Sequence, residues 1–170
     1  MLKDNELTLR KVLDEDASSI AKLADNKKIA DNLTHTFPNP YSLDDAKNFI
    51  KSIKGSEYDF VIDVNGEVAG MIGGKPKDKY DNRICATLGY WLGEPFWGKG
   101  YATRALKLYS DYLFDNFKEI HRLEASVFEY NPASGRVLEK VGFTKEHTRK
   151  EALIKNDKII SEHIYTKFRS

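Results

Sequence analysis

Residues 98–103, Gly-Lys-Gly-Tyr-Ala-Thr, have the composition and position of a phosphate-binding turn. They follow an apolar stretch over 86–92 and open a long amphipathic pattern, so they join a predicted strand to a predicted helix. The first N–H groups of a helix have no partner within it and carry partial positive charge, and glycines let the backbone approach a phosphate closely. Lys99 and Arg104 could add charge-assisted contacts. The segment therefore predicts an anion site.

Two nucleotide-binding templates fit this segment less well. A nucleoside-triphosphate loop needs Ser or Thr after its Lys to ligate magnesium, whereas Gly100 follows Lys99 here. The dinucleotide template G-x-G-x-x-G matches Gly98 and Gly100 but meets Thr103 at its third glycine. A tight strand-to-helix connection without any ligand remains the alternative to a phosphate site.

The composition is typical of a globular protein with a substantial core. The 170 residues suit one domain over 1–170, with 41% hydrophobic and 31% charged residues. A formal net charge of +1 shows no excess of basic residues of the kind that nucleic-acid-binding domains carry, so we expect no nucleic-acid partner. The single cysteine, Cys85, excludes an internal disulfide pair and a cysteine-based zinc cluster. We expect a cytoplasmic protein without a membrane partner, since no apolar stretch approaches the ~20 residues of a membrane helix and no signal peptide is evident.

Hydrophobic periodicity predicts a mixed α and β chain in which helices and strands alternate. Asn65-Gly66 is a strong hairpin signal between two of the strands, and the strand near 123–127 should pair in parallel with the one near 84–92 across the intervening helix. The predicted strands lie near 7–13, 60–64, 68–72, 84–92, 123–127, 143–154 and 159–168. The predicted helices lie near 14–25, 27–33, 42–55, 101–118 and 132–141, with loops at 34–42 and 73–83.

Two sequence signatures carry a resemblance to a known family. The chain reads GYWLGEPFWGKGYATRA from Gly89 to Ala105, which closely resembles the acetyl-coenzyme-A-binding segment of the GCN5-related N-acetyltransferases (GNAT). About thirty residues downstream, Asn131-Pro132-Ala133-Ser134 is followed by Leu138, Lys140, Gly142 and Phe143, which resembles a second family signature. The resemblance covers roughly residues 7–168 and is strongest to the branch that acetylates ribosomal-protein N-termini (RimJ/RimL-like).

The resemblance implies a fold, a cofactor and an assembly. The fold would be a single α+β (mixed α/β) domain, with a twisted, mostly antiparallel mixed sheet flanked by helices. In that family the central parallel strands splay apart and the pantetheine arm lies in the opening. The implied co-substrate is acetyl-CoA with no metal, and a homodimer is common among similar proteins.

The same resemblance implies a set of cofactor-binding residues. Backbone N–H groups of 98–103 would hold the pyrophosphate, and the exposed edge of the strand ending at 92 would pair with pantetheine. Trp97 stands where the family motif has Gln or Arg, which removes a polar side chain but leaves the backbone unchanged. Asn131 would bond the cofactor arm or cap a helix, and Arg136 would reach the phosphates. The full set is Tyr90, Trp91, Leu92, Trp97, Gly98, Lys99, Gly100, Tyr101, Ala102, Thr103, Asn131 and Arg136.

The expected reaction, amine attack on a thioester, needs a neutral amine and a proton for the departing thiolate. Many relatives use a tyrosine as the acid at the position of Leu138, and the ribosomal branch is thought to use the serine that matches Ser134. We therefore expect Ser134 to be the acid. Glu162 is the candidate base, because it shares an apolar strand face with Ile160 and Ile164 by the period of two.

His35, His163 and Tyr130 are further candidates for the catalytic site, and the aromatic, proline-rich loop 34–42 is expected to border the acceptor pocket. The leading prediction is an enzyme that moves an acetyl group from acetyl-CoA to a primary amine, foremost a protein N-terminal α-amine. The alternatives are a small amine acceptor (a polyamine, amino acid or aminoglycoside) and a non-catalytic acyl-CoA-binding regulatory module.

Overall fold

The computed structural model describes residues 1–76 and 84–170, and in these residues the strands form one eight-stranded sheet. The strands are β1 (Leu2–Asp4), β2 (Leu7–Arg10), β3 (Phe60–Val64), β4 (Glu67–Pro76), β5 (Cys85–Leu92), β6 (Arg122–Phe128), β7 (Thr144–Lys155) and β8 (Lys158–Phe168). Their order in the sheet is β1-β2-β3-β4-β5-β6-β8-β7. Neighbouring strands run antiparallel except β5 and β6, which are parallel.

Helices cover both faces of the sheet. Those of the described chain are α1 (Ala17–Ala24), α2 (Lys27–Ala30), α3 (Leu43–Ile53), α4 (Tyr101–Asn116) and α5 (Pro132–Lys140). The largest core packs α4 and α5 against one face, which we call the α4 face; Tyr109 and Leu138 lie at its centre. A second core packs α1 and α3 against the opposite face, the α1 face, around Ile20 and Ala46. The mixed α and β architecture is thus confirmed.

The parallel pair opens along its length. β5 and β6 are paired only from Cys85–Arg122 to Thr87–Glu124, although both strands continue beyond that point. The last five residues of β5 remain bonded to β4, with Gly70 opposite Leu92. One edge of β5 therefore faces a gap in the middle of the sheet. The predicted parallel pair and its splay are confirmed.

The structure corrects several predicted boundaries. β1 was missed, since three residues are too few to show alternation. β4 continues to Pro76, so residues 73–76, predicted as loop, are strand; the rest of that predicted loop lies outside the described residues. α2 ends at Ala30 instead of continuing to 33. The hairpin turn is confirmed, with Asn65 and Gly66 both at positive φ.

Candidate active site

A cavity of about 540 Å³ crosses the sheet where β5 and β6 separate. Leu88 and Leu92, which line it, belong to the core of the α4 face, whereas Trp91 packs with the core of the α1 face. Successive strand residues point to opposite sides, so both sides of the gap contribute to its walls. The cavity is therefore open to groups that approach from either face of the sheet.

The N-terminus of α4 forms one end of this cavity, and no side chain caps it. Gly98 and Gly100 both have positive φ, and a side chain on either would meet no atom within 4 Å. The N-cap residue Gly100 makes no side-chain hydrogen bond, and the first turn of α4 holds no acidic residue. By contrast, Ser42 caps α3 and Asn131 caps α5. The uncapped N–H groups of α4 thus remain available to an anion.

Two basic side chains at this end are engaged elsewhere. Arg104 donates to Asp4 Oδ2 at 2.6 Å and Glu6 Oε1 at 2.7 Å, so it ties α4 to the β1–β2 hairpin and does not support the expected phosphate contact. Lys99 donates to the Pro95 carbonyl at 2.9 Å and does not line the cavity. Its contribution to cofactor binding stays a prediction.

α5 supplies cations at the same end. Arg136 and Lys140 are four residues apart, so they lie on one side of α5; both line the cavity and are exposed. Neither side chain has a hydrogen bond or ion pair with any residue the structure describes. Arg136 was among the predicted cofactor-binding residues, whereas Lys140 was not predicted to line this cavity. Its helical spacing from Arg136 is the signal that could have found it.

Trp97 and Tyr90 hold the walls of the cavity in place. Trp97 Nε1 donates to the Leu92 carbonyl at 2.7 Å, which closes the turn between β5 and α4. Tyr90 directs its hydroxyl to Ser134, with its oxygen 2.9 Å from Ser134 Oγ. Burial raises the pKa of Tyr90 to about 12, so the phenol stays protonated. Asn131 Oδ1 accepts from the Ser134 N–H at 3.3 Å, so Asn131 is a helix cap that lines the cavity.

Glu162 lies on β8, behind the cavity wall. It is directly opposite Phe128 in the strand register, and its side chain is 14% exposed. One carboxylate oxygen accepts from Ser126 Oγ, and the other accepts from Arg149 at 3.1 Å. Ser126 lines the cavity and Glu162 does not. The sequence analysis missed Ser126, since a lone serine in a strand carries no distinguishing pattern.

The remaining candidates lie away from the cavity lining. His163 Nδ1 is 3.0 Å from Thr148 Oγ1, the Tyr130 hydroxyl donates to the Asp31 carbonyl at 2.5 Å, and His35 is exposed in its loop. Loop 34–42 contributes indirectly, because Phe37 packs edge-on against Trp91 with ring centroids 6.2 Å apart.

Residues of and after α2 also line the cavity. Ile29 and Leu33 supply apolar surface, Asn32 an amide, and Lys28 an ammonium that is paired with Glu94 at 2.5 Å. None of the described residues that line the cavity is a carboxylate. The sequence analysis did not foresee these residues, because only the tertiary fold brings α2 to the gap.

These features fit coenzyme A. An uncapped glycine-rich helix start and two unpaired cations suit its phosphates, and an exposed strand edge suits the amides of its pantetheine arm. A family profile described as "Acetyltransferase (GNAT) domain" matches residues 6–144. The chain belongs to the GNAT acetyltransferase family. It is accordingly an acetyltransferase that depends on acetyl-CoA, as the resemblance implied.

Individual GNAT relatives cover most of the chain. The uncharacterized N-acetyltransferase p20 of Bacillus licheniformis is 29% identical over 153 residues. The match covers 85% of this chain and 83% of the length of p20. The putative ribosomal N-acetyltransferase YdaF of Bacillus subtilis is 28% identical over 170 residues, covering 91% and 87%. The structure of RimL, a ribosomal L7/L12 alpha-N-protein acetyltransferase in complex with coenzyme A, has a TM-score of 0.85 at 20% identity, covering 97% and 95%. RimL shows the shared fold.

The described residues include neither a membrane-spanning helix nor a cluster of metal ligands. No helix among them is long and apolar enough to cross a membrane. Nor do residues 1–76 and 84–170 bring three or more His, Cys, Asp or Glu side chains together in a way that could hold a metal ion.

Proposed function

We propose that this GNAT enzyme acetylates the N-terminal α-amine of a protein in the cytoplasm, and that residues 1–170 act as one catalytic domain. The observation that carries the proposal is the cavity through the splayed sheet, whose lining combines an uncapped helix start with largely apolar side chains. The donor enters from the α4 face and the acceptor from the α1 face. The two substrates then meet at the gap between β5 and β6.

The donor's phosphates would bind at the N-terminus of α4, beside Arg136 and Lys140. Backbone N–H groups there are uncapped, and a phosphate would satisfy them together with the helix dipole. The free edge of β5 over Tyr90–Leu92 would bond the pantetheine amides as a neighbouring strand does. Acetyl-CoA supplies the acetyl group as a thioester, which a neutral amine can attack.

The lining disfavours polycationic acceptors. A polyamine or aminoglycoside carries several positive charges, and recognition of such a ligand normally uses carboxylates, which the described lining lacks. Ile29, Leu33 and Trp91 instead offer apolar contacts, and Asn32 offers an amide for a peptide backbone. An α-amine also has a pKa near 8, so more of it is neutral at pH 7 than of a lysine amine near 10.4. The relatives YdaF and RimL, described as ribosomal-protein acetyltransferases, support the same acceptor class.

The two candidate catalytic groups lie on opposite faces of the sheet. Ser134 lies in the first turn of α5 on the α4 face, where a departing thiolate would need a proton. Glu162 lies with Ser126 on the α1 face, where the acceptor amine would lose a proton. This separation suits a reaction in which the nucleophile loses one proton on one side of the sheet and the leaving group gains another on the other side.

The proposal is tested by a thiol-release assay with acetyl-CoA and a panel of amines. Peptides with a free N-terminus should be turned over with the highest kcat/KM, and the same peptides with a blocked N-terminus and no lysine should be inert. Preference for a polyamine, amino acid or aminoglycoside would overturn the acceptor assignment. Binding of acetyl-CoA without turnover of any amine would instead favour a regulatory module. The expected homodimer stays a prediction, which sedimentation checks.

A further inference from the structure

We infer that Ser126 is a catalytic proton relay between the acceptor amine and Glu162. This inference rests on the proposed function and adds a residue to it. Glu162 is mostly buried and does not line the cavity, whereas Ser126 does line it and donates its hydroxyl hydrogen to Glu162. A base without direct access to its substrate needs an intermediate group that can accept and donate a proton. A serine hydroxyl is such a group.

The strand register holds this pair in place. Ser126 lies opposite Ile164 and Phe128 lies opposite Glu162, so Ser126 and Glu162 are diagonal neighbours on one face of the β6–β8 pair. Leu123, Ala125 and Val127 face the α4 core, which places Ser126 on the α1 face by alternation. The relay is therefore on the side from which the acceptor would approach.

Neighbouring charges fix the carboxylate. Arg149, opposite Glu162 on β7, holds the oxygen that Ser126 does not use. Two other charged pairs near the cavity are formed without Glu162. Arg122 donates to Glu124 on β6, and Lys28, in the cavity lining, is paired with Glu94. With one oxygen held by Arg149, the other remains directed at Ser126 and through it at the cavity.

The proton balance of the reaction is complete with this relay. The acceptor ammonium gives one proton to Ser126 Oγ as the Ser126 hydroxyl proton moves to Glu162, which later releases it to solvent. The neutral amine then forms the new C–N bond, the C–S bond breaks, and the second amine proton reaches the thiolate through Ser134. No other reactant is required.

The test compares Ser126→Ala, Ser126→Thr and Glu162→Gln, with Ser161→Ala as the matched control. Ser161 is on the same strand as Glu162, does not line the cavity, and its hydroxyl accepts from the Glu151 N–H at 3.2 Å. Ser126→Ala should lower kcat/KM for a peptide α-amine by roughly 10²-fold at pH 7, within the range of general base catalysis. Ser126→Thr, which keeps the hydroxyl, should recover part of the activity that Ser126→Ala loses, whereas Ser161→Ala should stay near the wild-type value.

Two further readouts separate a relay from a structural hydrogen bond. The deficit of Ser126→Ala should shrink as the pH rises past the ordinary α-amine pKa of about 8, since the amine then needs no base. Adding Ser126→Ala to Glu162→Gln should cost little more than Glu162→Gln alone, because both remove one pathway. A deficit independent of pH, or a fully additive double variant, would overturn the relay. If wild-type protein turns over no amine, the proposed function fails instead.

Discussion

The Tyr90 hydroxyl oxygen lies 2.9 Å from Ser134 Oγ, so a strand residue of β5 holds the first turn of α5. The Tyr90 hydroxyl can also donate to the Ser134 carbonyl oxygen at 3.4 Å, so both of its hydrogen-bond acceptors belong to Ser134. Because the buried phenol has its pKa raised to about 12, it remains a donor throughout the working pH range. When Tyr90 donates to Ser134 Oγ, the hydroxyl hydrogen of Ser134 is free to point into the cavity.

Tyr90→Phe should therefore lower kcat while leaving acetyl-CoA affinity nearly unchanged. We expect a loss of about fivefold, the effect of one hydrogen bond of about 1 kcal/mol. Steady-state kinetics and calorimetric titration measure the two quantities. Tyr109→Phe is the control: it removes a hydroxyl that is bonded to the Tyr58 carbonyl at 2.7 Å and lies outside the cavity lining. That variant should lose stability and keep its kcat.

Ser134→Ala and Tyr90→Phe together form a double-mutant cycle. Asn131 caps α5 through the Ser134 backbone N–H, so alanine keeps the cap and the variant should fold normally. We expect kcat to fall by roughly 10²-fold if the hydroxyl protonates the thiolate. Tyr90→Phe should then have no further effect in the Ser134→Ala background, since Tyr90 acts through the missing hydroxyl. Undiminished turnover of Ser134→Ala would remove this proton donor.

Charge removal on α5 should weaken acetyl-CoA binding in a salt-dependent way. Arg136→Gln and Lys140→Gln should each raise the dissociation constant roughly threefold to tenfold at low salt, and less at 1 M salt, where exposed charges are screened. Lys145→Gln is the control, because Lys145 is an exposed cation on β7 that does not line the cavity. Equal effects of all three variants would mean that net charge, and not position, matters.

A comparison of Gly100→Ala with Gly66→Ala should separate the effect of Gly100 on folding stability from its effect on acetyl-CoA binding. Both glycines have positive φ, +78° and +85°, and an added Cβ would meet no atom within 4 Å at either. Each alanine should therefore cost about 1 kcal/mol of folding stability through backbone strain. Only Gly100→Ala should also weaken acetyl-CoA binding, because only Gly100 lies at the N-terminus of α4. Calorimetry and thermal unfolding measure the two effects, and unchanged affinity of a folded Gly100→Ala would contradict the phosphate site.

Asp16→Asn should destabilise the protein at neutral pH and not in strong acid. Burial raises the pKa of Asp16, but hydrogen bonds from Arg10, both at 2.8 Å, and from the Leu13 N–H outweigh it and bring the pKa below 3.8. A carboxyl with a lowered folded pKa stabilises above its unfolded pKa, and that stabilisation disappears as the pH falls through the folded value.

The expected loss for Asp16→Asn is roughly 2 kcal/mol at pH 7, as for a hydrogen bond to a charged group. Denaturant unfolding at a series of pH values should show the difference from wild type shrinking below pH 3.8. Asp14→Asn is the control, since its ion pair with Lys54 is exposed and should contribute little. A loss that does not change with pH would show that Asp16 acts through shape alone.

Local signals allowed the glycine turn and the helix that follows it to be predicted. α4 repeats apolar residues at helical spacing and begins at a glycine turn, and both features depend only on residues near in sequence. β1 was not predicted from the sequence, because three residues are too few to show the alternation of a strand. Arg104 was misjudged for another reason: its partners Asp4 and Glu6 are about one hundred residues away, and no local pattern reports an ion pair at that distance.

The sequence by itself determined most of the helices and strands, the parallel pair and the glycine turn, because backbone preference and hydrophobic period are local properties. Only the tertiary structure decided which side chains share the cavity. Tyr90 and Ser134 are 44 residues apart, Ser126 and Glu162 are 36 apart, and α2 reaches the gap from near the start of the chain. The strand register and the point where β5 and β6 separate determine which of these residues lie close together. Both depend on how the whole sheet packs between its helices.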